Sequence, residues 1–127
     1  MKGVPRSLEL LGERGIDPTP DVYARMFARW PETERLFARD HDGSVRGHML
    51  FEVIEAVLDL AGDGQYARGL IAAERVHHTD DLQVSDAQYE GRFAILRDVV
   101  RDRLGDGWTD EMESGWAGLL ETIAAAP

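Results

Sequence analysis

Cysteine is missing from this 127-residue chain. Disulfides, thiol nucleophiles, iron–sulfur clusters and cysteine-based zinc sites are therefore excluded. Long apolar runs are missing too, and no stretch approaches the roughly 20 apolar residues that cross a bilayer. Basic side chains are few, 14 against 24 acidic ones, and the resulting net charge of −10 repels phosphate backbones and anionic lipid heads. Neither nucleic acid nor a membrane surface is an expected partner. Residues 1–11 carry Lys2, Arg6 and Glu9 without a continuous apolar core, which does not read as a secretory signal, so a cytoplasmic protein is expected.

Strand-like alternation is also nearly absent, whereas helical period recurs along the whole chain. Leu8, Leu10 and Leu11 mark a short first helix ending at Gly12 or Gly15. Thr19 reads as the N-cap of a second helix with Pro20 at its first position, and Tyr23, Met26, Phe27 and Trp30 share one face until Pro31 starts a new turn. A polar loop, Asp40-His41-Asp42-Gly43-Ser44, precedes a long helix with the stripe Met49, Leu50, Val53, Ile54, Val57 and Leu58. Tyr66, Leu70, Ala73 and Val76 or His77 make the next stripe. Ser85 caps a helix carrying Tyr89, Phe93, Leu96, Val99, Val100 and Leu104, ended by Gly105. Thr109 caps the last, with Met112, Trp116, Leu119, Leu120 and Ile123 inward. The expectation is a single all-α domain over 1–127, in six or seven helices, with neither repeat nor linker.

Chemistry-bearing residues are few. The serines lie in helix-cap or surface contexts without a nucleophile elbow. Glu74 precedes His77 and His78 at helical spacing, but no second copy of that pair exists to build a di-iron site. His41 sits in the polar loop and His48 on the polar side of its helix, so both read as surface. His77 and His78 end a helix whose other face is Leu70, Ala73 and Val76. A histidine there either complements the helix dipole or serves as a metal ligand. Tyr23, on an apolar face, is either a core tyrosine tethered to a carbonyl or a donor to a bound ligand. Gly47 inside an apolar helix costs about 1 kcal/mol relative to alanine, and a close helix crossing is the simplest reason to keep it.

The stretches 22–27, Trp30-Pro31-Glu32, Leu36-Phe37, 47–58, 76–84, Tyr89, Leu104-Gly105 with Trp108-Thr109, and Gly115-Trp116 together resemble a single-domain bacterial globin. The likeness runs over 8–123 and is nearer to the flavohaemoglobin type than to the myoglobin type. It implies a globin fold around haem b (iron protoporphyrin IX), with Phe37 stacked on the haem and Tyr23 as the distal hydrogen-bond donor. Arg46 takes the place of a distal His or Gln, or turns outward to a haem propionate. Leu50 lines the distal pocket, Gly47 sits at a helix crossing, and Tyr89 lies near the proximal side, where it orients the ligating histidine. Alignment through Val76 makes His78 the iron ligand, and helical register with Leu70 and Ala73 makes it His77.

The function implied is reversible binding of dioxygen or another diatomic gas such as nitric oxide. Nitric oxide or peroxide chemistry would need an external reductant from a separate reductase, so enzyme status stays open. Monomer and homodimer are equally compatible, with Trp30 and Trp116 placed in a dimer patch or in the core. The alternative is a haem-free globin-fold interaction or sensory domain, favoured by residues 79–84 and the doubled histidine. A phosphotransfer bundle using His48 or His78 fits the helix number poorly.

Overall fold

The computed structural model describes residues 1–62, 71 and 84–125. In chain order these form α1 (Gly3–Glu13), α2 (Thr19–Arg29), a 3-10 stretch (Pro31–Phe37), α3 (Ser44–Ala61), α4 (Asp86–Leu104), a 3-10 turn (Gly105–Gly107) and α5 (Asp110–Ala125), with no strand among the described residues. The all-α expectation therefore holds. The expected helix around Tyr66, Ala73 and Val76 lies outside the described residues.

Helix α4 is the centre of the molecule. Tyr89, Phe93, Leu96, Val99 and Val100 are all fully buried, and α1, α2 and α5 pack around it. A helix covered on several sides is apolar on more than one face, and Gln88, Arg92 and Ile95 are buried beside the expected stripe. Its start is fixed locally. Ser85 Oγ accepts from the Gln88 amide (3.1 Å) while Gln88 Oε1 accepts from the Ser85 amide (3.0 Å), a capping box as expected from Ser85. At the other end Gly105 adopts φ 52°, a conformation that side chains with a Cβ resist, and Arg14 donates to the freed Leu104 carbonyl (3.0 Å).

Helix α5 starts at the expected cap, with Thr109 Oγ1 accepting from the Met112 amide (3.2 Å). Asp110, Glu111 and Glu113 in its first turn complement the positive end of the dipole. Its Trp116 is fully buried and donates to Ser7 Oγ of α1 (2.9 Å), so this tryptophan belongs to the core. Helices α1 and α5 meet at glycine: a Cβ on Gly3 would collide with the Glu111 carbonyl and the Met112 amide. Trp30, at the end of α2, lies so close to Gly91 of α4 that a Cβ there would overlap its ring.

Several expectations need correction. The first turn of α2 includes Thr19, and its amide is held by the Asp17 carboxylate (3.0 Å), which moves the cap back from Thr19. In α3 the buried set is Leu50, Val53, Ala56, Val57 and Leu60, while Leu58 is 41% exposed. That helix is apolar on two faces, and the stripe expected from periodicity straddled both. Gly47 is not at a tight crossing either, because a Cβ built on it would meet nothing within 4 Å. Close approach is served by Gly3 and Gly91 instead.

Candidate functional site

Helix α2 and the 3-10 stretch bring three aromatic rings together. Tyr23 packs against Phe37 edge-on, with ring centroids 5.1 Å apart at 68°, and against Phe27 at 5.9 Å. Phe27 and Phe37 lie 5.7 Å apart. Tilted and edge-on contacts of this kind contribute about 0.5–1.5 kcal/mol per pair beyond area burial. Pro31 opens the tight turn that returns Phe37 onto Tyr23, and Glu32 fastens that turn to α4 by accepting from Gln88 Nε2 (2.7 Å).

Tyr23 is 3% exposed, yet its hydroxyl makes no hydrogen bond to any of the described residues, so the carbonyl tether of a core tyrosine is not seen among them. The side chain stands between two cavities. The larger, about 480 Å³, opens between the starts of α2 and α3 and is lined by Pro20, Tyr23, Phe27, Gly43, Arg46 and Gly47, among others. The smaller, about 10 Å³, lies inward against Met26, Phe37, Met49, Val84 and Arg92. Burial raises the Tyr23 pKa above its ordinary value of 10.0. The nearby Arg92 and Arg46 guanidinium groups pull it down less strongly. The phenol is thus a neutral donor at physiological pH.

Arg46 stands on the rim of the larger cavity, at the start of α3. Its Nε donates to Asp40 Oδ2 (3.0 Å) and its Nη2 to the Asp40 carbonyl (3.1 Å). The same carboxylate accepts the Val45 and Arg46 amides (3.0 Å each), so Asp40 caps α3 from outside the helix. Burial opposes ionisation of Asp40, but the two amides and the guanidinium prevail and hold its pKa below 3.8. Gly43, at φ 77°, gives the turn that returns the chain to this carboxylate.

The remaining sequence-derived candidates fall as follows. Leu50 is buried in α3 at 3%, and its neighbour Met49 lines the smaller cavity. Tyr89 is fully buried in α4, and its hydroxyl donates to the Ile71 carbonyl (3.4 Å). His78 and His77 lie outside the described residues. His48 is on the surface, paired with Glu52 (2.9 Å), and His41 is exposed. Among the described residues no three metal-binding side chains gather, and no helix is long and apolar enough to cross a membrane.

Sequence reasoning missed two buried charges, Asp40 and Arg92. Arg92 left a readable sign, since it falls on the inward stripe one turn from both Tyr89 and Leu96. Asp40 left none, as its bonds close a loop that composition alone renders as polar.

Comparison with known proteins gives one finding. A family model described as Globin matches residues 20–126. Neither the curated proteins nor the solved structures gave a match.

Proposed function

Since the chain belongs to the globin family, we propose that it is a haem protein that reversibly binds dioxygen or another diatomic gas. The observation that carries this reading is the Tyr23 hydroxyl, enclosed by Phe37 and Phe27 and without a hydrogen bond to any described residue. Tyr23 lines two cavities, where a bound ligand can accept a hydrogen bond from its hydroxyl.

The side chains beside Tyr23 are of a chemistry compatible with a haem, for which haem b is the reading taken here. Met26, Phe37, Met49 and Val84 give an apolar lining, and Arg92 Nη2 beside them is a buried polar atom without a partner. In this reading Phe37 and Leu50 would supply apolar contacts to the porphyrin. Arg46, anchored on Asp40, faces a porphyrin carboxylate or the ligand. His78, or His77, would supply the imidazole that holds the iron, and Tyr89 donates to the Ile71 carbonyl. Haem contributes an iron with one position open to a gas ligand. The protein contributes exclusion of water and a hydrogen bond from Tyr23. That bond favours a ligand that gains negative charge on binding, as dioxygen does, over carbon monoxide, which gains little.

The reading also takes 1–127 as one domain, because α1 packs on α4 and α5 within the matched region. It places the protein in the cytoplasm, with any turnover of nitric oxide or peroxide dependent on a separate reductase. Titration of the reduced, haem-loaded protein with dioxygen and carbon monoxide tests it. Saturable and reversible spectral changes support gas binding, and a haem-loaded protein indifferent to both gases refutes it.

A further inference from the structure

Helix α3 buries Leu50, Val53, Val57 and Leu60 in the core, yet it carries a second apolar line away from them. Ser44, Gly47, Phe51, Ile54, Leu58 and Ala61 recur at alternating intervals of three and four residues, the spacing that keeps one seam along a helix. Phe51 and Leu58 are 59% and 41% exposed, and Ile54 and Ala61 are only half-buried. A contiguous line of exposed apolar side chains rimmed by polar ones marks an interaction surface. Gly47 adds room that the chain itself leaves unfilled, since a Cβ on it would meet nothing within 4 Å. One flank of the seam is closed by Leu50 and Val57, which are buried. The other carries His48 and Glu55, two helical turns apart and both exposed.

We propose that this seam is the interface of a weak homodimer, in which α3 of one copy lies antiparallel against α3 of another. With Phe51 set against Ile54 of the second copy, the register places Leu58 against Gly47 and Ala61 against Ser44. Leu58 then enters the space that Gly47 leaves, which gives a reason for a glycine inside this helix. The two-fold axis repeats every contact, as an isologous interface requires. Antiparallel helices also bring equivalent flanks together, so His48 of each copy faces Glu55 of the other. His48 already pairs with Glu52 of its own helix (2.9 Å), and the second copy adds another acid beside the same imidazole. A parallel pairing would set Gly47 on Gly47 and turn His48 toward the Leu50 and Val57 flank, which offers no acid. A seam along one 18-residue helix is small beside the roughly 800 Å² per partner of a standard interface, so the dimer exchanges with monomer.

Sedimentation velocity on the full chain, from about 10 µM to about 1 mM, reads the association, and circular dichroism checks folding. Wild type moves from monomer toward dimer across the series. Phe51→Glu and Leu58→Glu, both at exposed positions, raise the dissociation constant about tenfold or more. His48→Glu sets like charges across the seam and raises it about threefold or more, and adding Glu55→Lys to that variant restores association. If a glutamate in the seam prevents folding, Phe51→Ser or Leu58→Ser takes its place with the same expectation. A wild type that stays monomeric throughout overturns the proposal and leaves the face to a different partner. A dimer unchanged by Phe51→Glu and Leu58→Glu overturns it too, because another surface then pairs. Failure of Glu55→Lys to restore the His48→Glu variant overturns the antiparallel register. Association that is present without haem and lost once haem is loaded also overturns the proposal, and assigns the seam to the porphyrin.

Discussion

Replacing Tyr23 by phenylalanine separates a binding role from a packing role. The substitution keeps the ring, and with it the contacts to Phe37 and Phe27 at 5.1 and 5.9 Å. Only the hydroxyl is lost, and it bonds to none of the described residues. Little stability should go with it. Unfolding entropy of about 2.1 cal/mol/K per residue gives about 270 cal/mol/K for 127 residues, so 1 kcal/mol corresponds to about 4 °C in Tm. The haem-free variant should therefore melt within about 2 °C of wild type. A tethered core tyrosine would behave differently, because stranding its partner costs about 1–3 kcal/mol, or about 4–12 °C. Ligand release should respond strongly. A hydrogen bond to an acceptor that bears charge contributes about 1.5–3 kcal/mol, which translates to about 10- to 150-fold faster dioxygen dissociation. Carbon monoxide dissociation should hardly change. Thermal melts followed by circular dichroism and stopped-flow dissociation from the reduced protein measure the two effects. A Tm loss above about 4 °C with an unaltered dioxygen rate would refute the reasoning and return Tyr23 to the core.

Four further substitutions test the frame. Gly3→Ala should destabilise by about 1–3 kcal/mol, since its Cβ meets the backbone of Glu111 and Met112, whereas Gly47→Ala, with nothing within 4 Å, should stabilise by about 0.5–1 kcal/mol; denaturant melts giving the same sign for both would contradict the packing described. Ser7→Ala removes the acceptor of the Trp116 indole (2.9 Å) and should cost about 1–3 kcal/mol, with a change in near-ultraviolet dichroism that an exposed tryptophan would not give. Asp40→Asn addresses pH. Because the folded pKa of Asp40 lies below 3.8, its carboxylate contributes stability that is present above that value and lost as pH falls through the lower folded value. The asparagine variant should lack this part of the acid limb, and parallel stability–pH curves for variant and wild type below pH 3.8 would contradict the assignment.

Local signals were readable in the sequence and longer-range ones were not. Ser85 and Thr109 cap α4 and α5 where expected, because a cap depends on side chains within one turn. The inward stripe of α4 from Tyr89 to Leu104 was legible for a similar reason, as one face of that helix is continuously apolar. In α3, Phe51 and Leu58 are apolar but 59% and 41% exposed, so counting apolar residues could not choose the buried face. Gly47 shows a further limit, since a missing Cβ permits close approach without saying which helix comes near. The site divides along the same line. Tyr23 and Phe37 stood out as aromatics around a proline turn, and the fold brings them together. Arg92 and Asp40 are buried charges whose partners are set by tertiary packing, and the ordinary expectation for such residues is exposure.

Absorption spectra of the protein expressed with haem supplied, as wild type, His78→Ala and His77→Ala, test most directly whether this globin-family chain holds haem through a histidine of the 77–78 pair. The expected result is a sharp Soret band in wild type that is lost in His78→Ala and retained in His77→Ala. A folded wild type without a Soret band would contradict the haem reading and leave a haem-free globin-fold domain in its place.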